Sequence, residues 1–288
     1  MDIKLLDGKN ELSVKLPDDI NVELINKHPM PVLPDSAGAI REAFQHPVES
    51  ETLTELARGK KSACILICDI TRPVPNGLIL PPLVDTLIDA GMDRENILII
   101  VATGLHRPNE DDELRELIGS DEIFNTIRIE NHFARDREAH VDLGSTSEGI
   151  PIGIDRRFIE ADLRIVTGLV EPHFMAGYSG GRKVVAPGIA YVDTILKFHT
   201  AHILENWNSE NCVLAGNPLH EAQLEIVRAI GDIYAVNVVI DDKRQLGLVT
   251  FGAVEPSHLE AVGFLQQYAE IECARKFKTI VTSAGGYP

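Results

Sequence analysis

Ala63-Cys64-Ile65-Leu66-Ile67-Cys68 runs directly into Asp69-Ile70-Thr71-Arg72-Pro73-Val74-Pro75, and this junction decides the fold. Six residues without a charge describe a strand covered on both faces, the pattern of a parallel sheet. The next stretch carries charges and prolines and predicts a loop. Leu80, Leu83, Val84, Leu87 and Ile88 then recur at helical spacing, with Pro81 and Pro82 assigned to the first turn. The same strand, loop and helix order repeats downstream. Residues 97–101 predict a second buried strand, and residues 110–118 an acidic helix. Residues 127–131 and 163–167 predict further strands. Leu219, Ala222, Ile226, Val227 and Ile230 mark a helix, residues 234–240 a strand, and Leu259, Val262, Leu265 and Ala269 a helix begun by Pro256. Residues 278–282 predict a last strand. Upstream, residues 3–25 alternate apolar and polar around Asp7-Gly8 and predict an N-terminal β-hairpin. A proline-containing connector and a helix near residues 37–44 follow it. The expected fold is α/β, a mostly parallel sheet with helices on both faces. One domain is expected over residues 1–275, with 276–288 starting a linker or strand.

The chain has 288 residues, 44% hydrophobic and 25% charged, which is ordinary for a globular protein. Acidic residues outnumber basic ones by 44 to 27, a formal charge of −17. That field repels phosphate backbones and anionic lipid, and argues against nucleic acid and membrane partners. A small anionic substrate would need a local cluster of Arg or Lys. The N-terminus lacks the charged-then-apolar pattern of a signal peptide. No apolar run approaches the roughly 20 residues that span a bilayer. Cys64, Cys68, Cys212 and Cys273 suit buried thiols better than a disulfide framework or a zinc site. A cytoplasmic location is the expectation.

Three strands end in polar loops. Cys68 leads to Asp69, Thr71 and Arg72; residues 100–102 lead to Thr103-Gly104-Leu105-His106; residues 165–170 lead to Glu171-Pro172-His173. Ligands of parallel sheets bind at the carboxyl ends of strands, so the loops are expected to converge on one crevice. Asp69 to Arg72 offers an acid, a hydroxyl and a bidentate donor for an anion, and reads equally as a turn closed by an ion pair. His106 is a candidate acid or base, or a capping residue. Gly177-Tyr178-Ser179-Gly180-Gly181-Arg182-Lys183 lacks the spacing of a Walker A loop. Its glycines suggest backbone N–H groups open to an anion, and Lys183 is a candidate nucleophile or attachment point. The bland reading is a flexible turn with Arg182 and Lys183 solvated. His199 and His202 stand at helical i, i+3 spacing and could reach one metal. His28, His46, His132, His140, His220 and His258 are assigned surface or capping roles, and Trp207 a loop near the rim.

Taken together, Asp69–Pro73 (DITRP), Ala102–Pro108 (ATGLHRP), Glu171–Lys183 (EPHFMAGYSGGRK) and the histidine of LKFHT at His199 resemble the lactate racemase family built around a nickel-pincer nucleotide. The resemblance covers essentially residues 60–288. It implies that Lys183 carries the cofactor, pyridinium-3-thioamide-5-thiocarboxylic acid mononucleotide, and that His199 is the protein's ligand to its nickel. It implies His106 and His173 as acid/base residues, one for each enantiomer. Asp69, Thr71, Arg72, Thr103, Gly104, Gly180 and Gly181 would hold the cofactor, and Arg72 also the substrate. The implied reaction interconverts D- and L-2-hydroxyacids by hydride transfer through a 2-keto acid. Enzymes that mature the cofactor are implied partners. The family also has a C-terminal domain that closes over the cleft, expected to lie beyond this chain, and members that act on other 2-hydroxyacids. Two other readings stay open: a zinc-dependent hydrolase using His106, His173 and His199, and a nucleotide-binding module without catalysis.

Overall fold

The computed structural model describes residues 1–7 and 10–283. Strands β1 (Asp2–Asp7) and β2 (Asn10–Lys15) form the expected antiparallel pair, in which Ile3 faces Val14 and Leu5 faces Leu12. The Gly8 part of the expected turn lies outside the described residues. Helix α1 (Ser36–Gln45) is capped by Asp35, whose side chain accepts from the Gly38 N–H, and α2 (Leu53–Ala57) carries a Thr52–Glu55 capping box.

Strand β3 (Ala63–Cys68), helix α3 (Asn76–Asp89), strand β4 (Ile97–Ala102), helices α4 (Asp111–Ile118) and α5 (Asp121–Thr126), and strand β5 (Arg128–Asn131) follow in order. Helix α3 starts earlier than its apolar spacing predicts, so Pro81 and Pro82 lie inside it and not in its first turn. Pro75 O takes the first N–H groups, from Leu78 and Ile79, and the Asn76 side chain donates to Leu117 O at 3.0 Å. These bonds begin the helix before the prolines are reached.

An antiparallel pair, β6 (His140–Ser145) and β7 (Pro151–Asp155), helix α6 (Arg156–Glu160) and strand β8 (Leu163–Leu169) come next. The site segment holds a short pair, β9 (Pro172–His173) and β10 (Gly177–Tyr178), then helices α7 (Gly181–Val185), α8 (Val192–Phe198) and α9 (Ala201–Leu204). Helix α10 (Pro218–Ile230), strands β11 (Tyr234–Ile240) and β12 (Leu246–Ala253), and helix α11 (Val254–Ala269) complete the regular structure. The strand expected at residues 278–282 does not form. Ile280 and Val281 are exposed, and no neighbouring strand among the described residues offers them a ladder.

The main sheet has the order β12-β11-β8-β3-β4-β5, parallel except for β12. Alternation along β3 divides its side chains between two cores, and a third, smaller cluster gathers Val239 of β11 with Ala261, Val262 and Leu265 of α11. Ile65 and Ile67 face α1 to α5, whereas Cys64 and Leu66 face the side packed by α6, α7, α8 and α10. Each fully buried Leu, Ile, Val, Phe or Met contributes roughly 1.5–3 kcal/mol relative to exposure, and both cores are built largely of such residues. The chain moves outward from β3 to β4 and β5, then returns to place β8 on the other side of β3. Connections leaving β3 and β8 therefore diverge, which opens a crevice at their carboxyl ends.

Candidate active site

That crevice is a cavity of about 520 Å³. The loop after β3 brings Cys68, Asp69, Thr71 and Arg72; the loop after β4 brings Thr103, Gly104, Leu105 and His106; the segment after β8 brings His173, Ser179, Gly180 and Lys183; the end of α8 brings His199. Cys68 and Ala102 are paired in register, so the first two loops depart at one level. Gly104 sits at φ +55°, a left-handed conformation that favours glycine, and its N–H bonds Gly188 O at 2.9 Å.

Asp69 is buried and its carboxylate is fully used. One oxygen accepts from Thr71 Oγ1 at 2.6 Å and Thr71 N at 3.2 Å; the other lies 2.6 Å from His106 Nδ1. A carboxylate only accepts, so Nδ1 carries the proton and Nε2 of His106 holds the lone pair. His173 is in the opposite state. Its Nδ1 accepts from the Met175 and Ala176 N–H groups, both at 3.2 Å, so the proton of the neutral ring is on Nε2. Burial, then the charges of Lys183 and Arg72, push His173 down to about 3.

Lys183 is lowered to about 8, by burial first and then by Arg72. Arg72 is paired loosely with Glu171, at 3.8 Å. His199 Nδ1 donates to Ile195 O at 2.8 Å, which leaves Nε2 as the lone-pair atom, the tautomer that a metal ligand requires. His199 is the C-cap of α8 and His202 lies in α9, so the two are not on one helix as their spacing predicts. Thr200 stands between them with an extended backbone and ends the first helix.

Gly181 does not line the cavity. Its N–H is committed to Asn237 Oδ1 at 2.9 Å, and it packs against Val166 and Ala235 of the sheet. Arg182 is fully buried and not solvated. Trp207 is 94% exposed and is not among the lining side chains. The surface assignment holds for His28 and His46 but not for four other histidines. His132, His140, His220 and His258 are buried, each with a backbone or side-chain partner that offsets desolvation. Among the described residues no three His, Cys, Asp or Glu side chains are grouped to hold a metal, so the protein-only zinc site of a hydrolase is not formed there. No helix among the described residues is long and apolar enough to cross a membrane.

Residues 8–211 match the family model described as the lactate racemase N-terminal domain. The chain belongs to this family. Among relatives, the lactate racemase of Thermoanaerobacterium thermosaccharolyticum is 32% identical over 98% of this chain and 66% of its own length. That of Lactiplantibacillus plantarum is 34% identical over 86% of this chain and 58% of its own. The chain thus spans about three-fifths to two-thirds of these relatives. The structure of the lactate racemase apoprotein from T. thermosaccharolyticum superposes with a TM-score of 0.82 at 31% identity, over 93% of this chain and 63% of that one. A Thermotoga maritima structure shares the fold, with a TM-score of 0.69 at 21% identity, over 84% and 61%.

Within this lactate racemase N-terminal domain, sequence reasoning missed Gln223. It is fully buried, lines the cavity and donates through Nε2 to Ala186 O at 2.8 Å, while its Oε1 has no partner. Its position on the inner face of α10 reads from sequence as a plain polar interruption. Three features of the cavity are open to a bound group: a lysine amine lowered to about 8, a histidine with a free Nε2, and an orphaned acceptor.

Proposed function

We propose that the chain is the cofactor-carrying part of an enzyme that interconverts the enantiomers of a lactate-like 2-hydroxyacid. The observation that carries this reading is the convergence of Asp69, Arg72, His106, His173, Lys183 and His199 on one cavity, in a chain of the lactate racemase family. Lys183 would hold a nickel-pincer nucleotide covalently, because an amine lowered to about 8 keeps roughly a tenth of its population uncharged and nucleophilic at pH 7, far more than an ordinary lysine. His199 Nε2 would complete the metal's ligand set, since sulfur and imidazole donors suit nickel. When bound, the cofactor would supply a hydride acceptor that turns a 2-hydroxyacid into its planar 2-keto acid and back, erasing the configuration at C2.

The protein's own part is positioning and proton transfer. Arg72 offers a fork to the substrate carboxylate, in exchange for its loose contact with Glu171. His106 takes the hydroxyl proton on Nε2, and Asp69 holds the ring in the tautomer that can do so. His173 presents Nε2–H to the cavity. Taking a second proton as a general acid becomes easier once an anion offsets Lys183 and Arg72. Cofactor-maturation enzymes are the partners that this reading requires.

Intact mass and metal analysis of full-length protein from its native host test the proposal. A nucleotide-sized adduct on Lys183, lost in Lys183→Ala, is expected, with nickel content lowered more by His199→Ala than by His106→Ala. An unmodified mass without nickel would remove the redox reading.

A further inference from the structure

A buried cation ordinarily sits against a carboxylate, and Arg182 does not. Its Nε donates to His220 Nδ1 at 2.8 Å and its Nη1 lies 2.7 Å from His258 Nε2. Nη1 also reaches Ser179 O at 3.4 Å, and Nη2 donates to Tyr178 O at 2.9 Å and Ala176 O at 3.2 Å. Two rings and three carbonyls satisfy its donors and none cancels its charge. Arginine offers donors only, so His220 Nδ1 presents a lone pair to it, whereas His258 Nε2 stands between Arg182 Nη1 and Ser179 O, 2.8 Å away. Burial, then the Arg182 charge, holds His220 down to about 3 and His258 well below its ordinary value. Arg228 adds to the effect on His220, and Glu255 acts from outside in favour of the guanidinium. Burying a charge without an opposite one costs several kcal/mol, so this arrangement needs a reason.

The location suggests it. Arg182 immediately precedes Lys183 on α7, and its contacts tie α7 to α10 through His220 and to α11 through His258. The carbonyls it grips belong to the loop whose Met175 and Ala176 N–H groups set the His173 tautomer. We propose that Arg182 is a positioning residue: gripped by two neutral histidines, it fixes the glycine loop and α7 so that the Lys183 amine meets the cavity with an uncancelled positive charge behind it. The result is a lysine presented as a nucleophile. The charged and titratable groups acting on that amine are Arg72 and Arg182, which favour its uncharged form, and Cys68 and Glu171, which oppose it. The inference rests on reading Lys183 as the attachment site.

The test is competitive acetylation of the full chain, made in a host without the cofactor, with Lys183 labelling followed by peptide mass spectrometry across pH. The wild-type midpoint is expected near 8. Arg182→Met should move it upward and lower the labelled fraction at pH 8 below the wild-type half, while Arg182→Lys keeps a cation and the lower midpoint. If Arg182→Met does not fold, His220→Asp supplies the comparison, because a carboxylate against the guanidinium cancels its charge and should also raise the midpoint. An unchanged midpoint in a folded Arg182→Met or His220→Asp protein overturns the proposal. That failure is separable from failure of the cofactor reading, which is decided by the adduct and nickel on native protein.

Discussion

Asp69 makes three short contacts from a buried position, and their chemistry predicts what its loss does. Asp69→Asn replaces one acceptor oxygen with a donor, so either the Thr71 bonds fail or His106 is forced into the wrong tautomer. Turnover of the loaded enzyme should fall by about 10²–10⁴-fold, with the Lys183 adduct retained. Stopped-time assays of enantiomer exchange, alongside intact mass, check both halves. A variant that kept full activity would mean Asp69 does not orient a catalytic base. The residue types at this site were legible in the sequence, because acid, imidazole and amine groups lie directly after apolar strands. The tautomers were not. They depend on Ile195 O, Asp69 and two backbone N–H groups, brought to the rings by the fold and absent from any local pattern. The burial of Arg182 was hidden for the same reason: its partners lie on α10 and α11, 38 and 76 residues away.

Elements dominated by one apolar period were readable, and elements defined by their partners were not. Strands β3, β4 and β8 each present a run of residues buried on both faces, and the parallel sheet follows from them. Strand β12 went unread because Gly247 and Gly252 break its pattern, and the antiparallel turn before it is held by Asp241 Oδ1 accepting from Lys243 N and Gln245 N. The converse error is residues 278–282, whose local β-preference finds no partner among the described residues. Close packing between elements makes a further prediction. A Cβ on Gly168 of β8 would stand 2.4 Å from the Gly181 nitrogen, and backbone cannot rotate away as a side chain can. Gly168→Ala should therefore force α7 off the sheet at a cost of roughly 1–3 kcal/mol, measured by denaturant unfolding. It should also slow cofactor attachment, because Lys183 moves with α7. Unchanged stability together with unchanged attachment would show that α7 tolerates a shift.

At the scale of the molecule, an acidic chain of net charge −17 concentrates Arg72, Arg182 and Lys183 around one cavity. The global field and the local one have opposite signs, as an anionic ligand within an acidic protein requires. The neutral histidines that accompany this cluster couple it to folding. His220 and His258 are depressed in the folded chain, whereas in the unfolded chain each binds a proton at its ordinary pKa of about 6.5. Below that value the unfolded state holds more protons than the folded one, so stability falls as pH falls. The contribution is fully present above about pH 6.5 and declines toward about pH 3, where His220 itself protonates. Within that window each histidine lowers stability by up to about 1.4 kcal/mol per pH unit. Urea unfolding at pH 7.5, 6.0 and 5.0 should show a steep loss, and His220→Asn, which keeps an acceptor for Arg182 without a titrating ring, should flatten it. Equal slopes in the two proteins would mean that His220 titrates alike folded and unfolded, and that the guanidinium is not held by a proton-free ring.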